Sequence, residues 1–489
     1  MKPNVLLIIC DQLRKDCLGC YGNEFARTPN IDTLAMQSIV CDKNYVANPI
    51  CTPNRMTLFS GMYPRNHGLW TNGLFVPDDK LNLMYHLKEN GYQTANLGKI
   101  HFEPNNCDAF VGSKESKDWW ENSPEAKNFT GPFRGFDYIQ LANAHHGYSG
   151  NMKEWFFANG GTEEMFQPLL HPDDHQSGTE SVPAHLSSTA FVGEKTVEYL
   201  EEIRNPRKPF FAVASFPDPH HPFIAPQECY DSWDGASYKA PVGDKGDLST
   251  RPARYRHQLA GAWARGGLRA EKHPDGISES LAHERYQNTY AMIEQIDLQV
   301  GKILESLQKE GLDENTIVLF TSDHGELLGD FGLWLKGPFF FEGLISTPLI
   351  ARIPNATPKR CDALISAVDF APTICDLLQL DIPFYIDGIS QKEVLLGSAQ
   401  ALRERCMIEY RNGYGKKDVN YKVLLDQNYK YIRDQYGEEE LVDLKNDPEE
   451  RHNLAQNPQT KAICNQYALQ LLEEMLQTES KKPAQLCLA

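Results

Sequence analysis

The residues best equipped to do chemistry lie in three short stretches. Cys51-Thr52-Pro53-Asn54-Arg55 sets a thiol one helical turn before a guanidinium, so that both fall on one helix face. Alone, the pentapeptide reads equally as a buried cysteine ahead of a proline turn. Asp11-Gln12 and Asp323-His324 supply carboxylate, amide and imidazole donors, a set suited to a hard cation such as Ca2+ or Mg2+. Either pair also reads as a turn former, and Asp323-His324-Gly325-Glu326 as a helix cap. The choice depends on whether the fold brings the thiol and both donor pairs to one place.

Both donor pairs end apolar runs of strand length. Val5 to Cys10 is continuously apolar and stops at Asp11, as in a strand buried on both faces of a parallel sheet. Pro209 to Phe216 ends near His220, and Thr316 to Thr321 ends at Asp323-His324. In open α/β sheets the carboxyl ends of the strands form the ligand crevice, so these distant residues converge on one edge. Helical patterns intervene over Thr28 to Ser38, Leu81 to Asn90 and Ser278 to Glu310. In the last, Tyr286, Tyr290, Ile293, Ile296, Val300, Ile303, Leu304 and Leu307 mark one face, and Gly311 caps the end.

Periodicity fails over 105–183 and 226–275, which predicts long loops or insertions above the active edge. After about residue 381 the texture changes to short strands, Cys406 to Tyr410, Tyr421 to Leu425 and Lys430 to Asp434, followed by a helix over Lys461 to Leu476. The expected fold class is therefore α/β. A helix-sandwiched, mostly parallel sheet over 1–380 is followed by a small antiparallel sheet plus helix over 381–489. Glu438-Glu439-Glu440 reads as a solvated turn.

A net charge of -18 disfavours nucleic acid or an anionic membrane as partner, so an anionic substrate needs a local cluster of cations. No apolar run approaches the ~20 residues that span a bilayer. Lys2 and the short run after it lack the apolar core and cleavage site of a signal peptide, so the sequence as given reads as cytoplasmic. The 12 cysteines have no regular spacing, which argues against a disulfide framework.

Taken in order, a set of motifs resembles the type I sulfatases of the alkaline phosphatase superfamily along nearly the whole chain. They are Asp11-Gln12, Thr28-Pro29-Asn30-Ile31-Asp32, Cys51 to Arg55 and Gly98-Lys99-Ile100-His101. Pro219-His220-His221-Pro222-Phe223, Ser322 to Asp330 running on to Lys336, and Glu440 to Leu454 complete the series. The resemblance implies an alkaline phosphatase-like fold and a sulfuric ester hydrolase. In that family C-x-P-x-R directs oxidation of the cysteine to Cα-formylglycine by a formylglycine-generating or anaerobic sulfatase-maturing enzyme. The hydrated aldehyde is the nucleophile, and its second hydroxyl later expels sulfate.

By the same resemblance Asp11, Gln12, Asp323 and His324, with the group made from Cys51, hold Ca2+, with Mg2+ or Mn2+ as alternatives. Arg55 holds the diol and its neighbours. Lys99 and Lys336 neutralise sulfate oxygens. His220, beside Lys336, protonates the leaving alcohol, His101 takes the proton of the second hydroxyl, and Asp323 assists attack. Asn72 matches a substrate-contacting position.

Gln12 and His324 stand where many sulfatases have Asp and Asn, which places the chain near choline sulfatase, iduronate-2-sulfatase and phosphonate monoester hydrolase; Asn54 replaces a small residue. A phosphonate monoester or phosphate diester hydrolase is the nearest alternative. Those phosphonate hydrolases resemble Gly-Tyr-Thr where this chain has Gly98-Lys99-Ile100-His101, which favours sulfate. A non-catalytic anion-binding protein with unmodified Cys51 is a third reading. The substrate class is a sulfated small molecule or glycan. Arg251, Arg254, Arg256, Arg265 and Arg269 around Trp263, with Trp119, Trp120 and Trp155, are candidates for a carbohydrate subsite.

Overall fold

A computed structural model describes residues 2–108, 111–143, 149–170, 176–255, 277–412 and 419–480. In chain order its strands are β1 (Asn4–Cys10), β2 (Ile39–Tyr45), β3 (Gln93–Gly98), β4 (Tyr138–Leu141), β5 (Leu169–Leu170), β6 (Ser177–Glu180), β7 (Phe210–Phe216), β8 (Phe223–Pro226), β9 (Thr316–Ser322), β10 (Ser346–Arg352), β11 (Lys359–Ser366), β12 (Cys406–Asn412), β13 (Val419–Leu425), β14 (Tyr429–Asp434) and β15 (Glu439–Asp443). The helices used below are α1 (Pro29–Met36), α2 (Cys51–Ser60), α3 (Leu83–Glu89), α4 (Ser188–Glu198), α5 (Glu279–Lys309), α6 (Phe370–Leu377) and α7 (Lys461–Gln477).

The main sheet runs β11-β2-β10-β9-β1-β7-β3-β4. β9, β1, β7, β3 and β4 are mutually parallel, whereas β10 runs antiparallel to both neighbours. The apolar run of β1 is buried throughout, and its alternation feeds two cores. Val5, Leu7 and Ile9 join Met56 and Phe59 of α2, Leu83 of α3 and Ile374 of α6. Leu6, Ile8 and Cys10 join Leu34 of α1, Phe191 of α4 and Tyr290 of α5. A strand with no solvent face has helices on both sides, which is why its sequence does not alternate with polar residues.

α5 matches its pattern closely. Ser278 Oγ accepts the Leu281 N–H at its start, and Gly311 beyond its end has φ +63. β12 to β15 form an antiparallel sheet with α7 against it. Met407, Tyr431, Tyr467 and Leu471 share the core of α2 and α6, so apolar packing is continuous between the two sheets. Among the described residues no helix is long and apolar enough to cross a membrane.

Two expectations need correction. The 105–183 segment is not only loops: Tyr138–Leu141 pairs with β3 and extends the main sheet, while β5 and β6 form a small sheet with β8. Four residues carry too little periodicity to announce a strand whose hydrogen bonds come from a distant neighbour. Nor is 438–440 a solvated turn, because Glu440 lies in β15, 1% exposed. Its charge is met by Arg251 and Arg254, which sequence proximity does not reveal.

Candidate active site

Because β1, β3, β7 and β9 are parallel, the residues that follow each carboxyl end gather on one edge. β1 delivers Asp11 and Gln12, β3 delivers Lys99 and His101, the turn after β7 delivers His220, and β9 delivers Asp323 and His324. Gly98 is required at the end of β3: its φ is +108, and a Cβ there would lie 1.9 Å from the Ser215 carbonyl oxygen. Cys51 opens α2 after the extended Ile50, where the helix dipole favours negative charge, and every residue of this helix is buried.

Asp11, Cys51, Asp323 and His324 each offer one ligand atom, and these atoms all lie within 4.8 Å of one another. Cys51 Sγ is 3.1 Å from His324 Nε2 and 3.6 Å from Asp11 Oδ1. His324 Nδ1 donates to the Gly325 carbonyl at 2.8 Å, which leaves the Nε2 lone pair facing the group. Two buried carboxylates, an imidazole lone pair and the Cys51 side chain therefore fit a divalent cation. The Gln12 amide is engaged by His221 and Glu326, while its backbone N–H donates to Asp323 Oδ1 at 3.1 Å.

Three cations surround the acids, Arg55 and Lys99 buried and Lys336 partly so. Arg55 Nε donates to Asp323 Oδ2 at 2.7 Å, and the rest of its fork reaches the Lys99 carbonyl, Ser215 Oγ and, at 3.6 Å, Asp11 Oδ2. Its guanidinium thus fixes both carboxylates and the chain around them. Lys99 Nζ bonds Asp11 Oδ2. Lys336 Nζ lies 2.9 Å from Cys51 Sγ, 3.1 Å from His324 Nε2 and 2.6 Å from His220 Nε2. Burial, the largest influence on the Cys51 thiol, and Asp11 push it up, but Lys336, Lys99 and His324 outweigh them and hold it below its ordinary value.

His220 and His221 are stacked with centroids 4.0 Å apart, yet they face different partners. His220 reaches Lys336, whereas His221 Nδ1 meets Gln12. Burial, then Lys336, keeps His221 well below the usual histidine range. Asn72 Oδ1 accepts the Thr52 N–H at 3.0 Å, which sets this exposed residue beside Cys51. Asn54 bridges two approaches to the site, accepting the Ala47 N–H and donating to the Asp323 carbonyl, so the larger residue has hydrogen bonds to make.

Sequence reasoning passed over three supporting residues. Glu326 accepts the Leu335 and Leu328 N–H groups and the Gln12 amide, joining the Lys336 loop to β1. Its place in the Asp323-His324-Gly325-Glu326 run was the available signal. Ser215, near the end of β7, accepts from Arg55. Glu115 binds the loop that carries His101, and nothing around it in the sequence is periodic.

The arginine and tryptophan subsite is corrected. Arg251 and Arg254 are 4% and 5% exposed and pair with Glu440 in the contact to the second sheet. Arg256, Trp263, Arg265 and Arg269 lie outside the described residues. Trp119 is buried against Trp120 and Phe129, and Trp155 is buried with Nε1 donating to Glu194 at 2.7 Å. The partly buried Trp120 donates to the Lys114 carbonyl. Trp119 and Trp155 thus spend their indole area on packing, and the N–H groups of Trp120 and Trp155 are already taken by protein acceptors.

Residues 3–380 match the Sulfatase family, and residues 329–478 match the C-terminal region of N-sulphoglucosamine sulphohydrolase. An arylsulfatase of Clostridium perfringens is 27% identical over 505 residues, covering 97% of this chain and 95% of that protein. The N-acetylglucosamine-6-O-sulfatase of Bacteroides thetaiotaomicron is 24% identical over 539 residues, covering 97% and 86%. The crystal structure of the phosphonate monoester hydrolase of Agrobacterium radiobacter is similar with a TM-score of 0.82 at 26% identity, over 99% of this chain and 97% of that one. With the parallel-strand edge and the buried thiol-centred group in place, these matches establish that the chain belongs to the Sulfatase family, as a sulfuric ester hydrolase on an alkaline phosphatase-like fold.

Proposed function

We propose that the protein removes sulfate from a small or carbohydrate sulfate ester, using formylglycine made from Cys51 and a bound Ca2+. The observation that carries this reading is the convergence on Cys51 Sγ of Lys336 Nζ at 2.9 Å and His324 Nε2 at 3.1 Å, with Asp11 beside them. A cysteine kept only for packing has no use for so many buried charges, each costly to desolvate. The maturing enzyme would be of the formylglycine-generating or anaerobic type. Asp11, Asp323, His324 and the Cys51-derived oxygen would hold the cation, with Gln12 a further donor, and the bound ion would polarise a sulfate oxygen and favour the ionised nucleophile.

The protein's own groups divide the remaining work. Lys99 and Lys336 place positive charge where sulfate oxygens must sit. Arg55 keeps Asp11 and Asp323 oriented, so Asp323 stays near the attacking oxygen. His220, with Nδ1 tied to the His221 carbonyl, presents Nε2 to Lys336, and this pair supplies the proton to the departing alkoxide. His101 is the base for the second step. Asn72 flanks the substrate from the α2 side.

A sugar ester is favoured by the relative named for N-acetylglucosamine 6-sulfate chemistry. The likeness to a phosphonate monoester hydrolase keeps that activity as a second reading, since both groups place anionic oxygens on a tetrahedral centre. The test is a panel of defined sulfated sugars, an aryl sulfate and a phenylphosphonate ester, assayed with matured protein before and after chelation. We expect sulfate release that chelation abolishes and Ca2+ restores. Turnover of the phosphonate alone would overturn the reading.

A further inference from the structure

We propose that Glu115 is a positioning residue for the second proton-transfer step, holding the loop that carries Lys99 and His101 in its working shape. The inference rests on the role given above to His101. Glu115 enters from the first insertion and is 2% exposed. One of its oxygens accepts the His101 N–H at 2.5 Å, and the other accepts Phe102 N–H at 2.7 Å and Glu103 N–H at 3.0 Å. Three successive amides thus converge on one carboxylate, an anion-binding concavity filled from within the chain.

Asn143 locks this arrangement, donating from Nδ2 to Glu115 at 2.9 Å while its Oδ1 accepts the Ile100 N–H at 3.4 Å. Glu103 continues the scaffold by accepting Lys114 N–H and pairing with Arg134. The arrangement matters because His101 sits at φ +61, a left-handed conformation that a residue with a side chain adopts only when its surroundings impose it. Removing the carboxylate would let this residue relax toward ordinary backbone angles and swing its imidazole away from the bond it must serve. A small displacement of this kind slows chemistry more than it weakens binding.

Glu115→Gln keeps the volume but turns an amide NH2 toward backbone donors. With matured protein and an aryl sulfate, we expect kcat to fall ~10- to 100-fold and KM to fall with it, because a slower second step leaves kcat/KM, which the first step sets, unchanged. In a His101→Ala background the same substitution should add nothing, because both act on one step. Hydrogen exchange of the amides at 101–103 should accelerate. Asn143→Ala, which leaves the carboxylate in place, should show the same coupling with a smaller loss, and it serves if Glu115→Gln does not fold. Losses that multiply with those of His101→Ala, or loop amides as protected as in the native protein, would overturn the proposal. If native matured protein turns over no sulfate ester, the hydrolase reading is what fails, and amide exchange still decides whether Glu115 holds the loop.

Discussion

Two regions of this molecule bury several charges together, and they do so in opposite ways. Between the sheets, Glu440 takes Arg251, Arg254 and the Tyr255 hydroxyl onto its own two oxygens. With Glu438 Oε2 3.8 Å from Arg254, two guanidiniums meet two carboxylates, and burial, the largest influence on Glu440, is outweighed by the two arginines so that its carboxyl is held below the usual range. At the strand edge Lys336 and His324 converge on Cys51, which has no formal charge as a thiol, while Arg55 and Lys99 hold the acids from outside. A closed cluster satisfies its own charges and serves structure. An arrangement aimed at a reactive atom is arranged for chemistry, and aim, not burial, distinguishes the two.

Substitutions that break each cluster should separate these roles. Cys51→Ala removes the atom on which the site converges, and turnover of an aryl sulfate by purified protein should fall by at least ~10⁴-fold with the thermal midpoint nearly unchanged. Glu440→Ala strands two arginines in the interior and should cost roughly 3–5 kcal/mol in denaturant unfolding, with kcat per folded molecule unaltered. A normal unfolding midpoint for that variant would show that the contact between sheets is not what it seems from its geometry. Lys336→Ala should lower kcat by ~10²–10³-fold while leaving the fold intact, the reverse of the Glu440 result.

A smaller effect tests whether Glu115 belongs to the functional kind of buried charge. Burial pushes its carboxyl up to about 7, with Glu103 adding to the shift and the amides of Phe102, His101 and Glu103 opposing it. The charged group that acts on it is Glu103, which is itself paired to Arg134. A folded-state value raised from 4.5 to about 7 means that the native state holds its proton longer than the unfolded chain. Stability conferred by the neutral form is therefore lost as pH rises between those values, by roughly 3 kcal/mol at most. Glu115→Gln has no such ionisation, so its thermal midpoint relative to native protein should climb from pH 5 to pH 8. A difference independent of pH would place the Glu115 carboxyl in the ordinary range.

How much of this was legible depended on range. β1 and β9 announced themselves because strands covered on both faces are apolar without interruption, and polar residues at their ends followed at once. α5 was readable from one apolar face running from about Ser278 and from the closing Gly311, while the structure added the Ser278 cap. Asp11, Cys51, Asp323 and His324 were found as separate motifs, and the parallel sheet supplied their proximity. Glu440 misled because its neighbours in sequence are acidic, while its partners Arg251 and Arg254 come from a remote segment. The tryptophans misled because an indole filling a core and an indole facing a sugar are the same letter. Glu115 gave no sign because its bonds go to backbone amides, and an amide acceptor leaves no spacing in the sequence.

The central claim concerns what Cys51 becomes. The most direct measurement is peptide mass spectrometry across Cys51 to Arg55 on protein made with and without a maturing enzyme, joined to turnover of an aryl sulfate by the same samples. The account predicts an aldehyde or its hydrate at Cys51 in the matured sample, and sulfate release in proportion to the fraction converted. Equal turnover by protein that retains the thiol at Cys51 would contradict it.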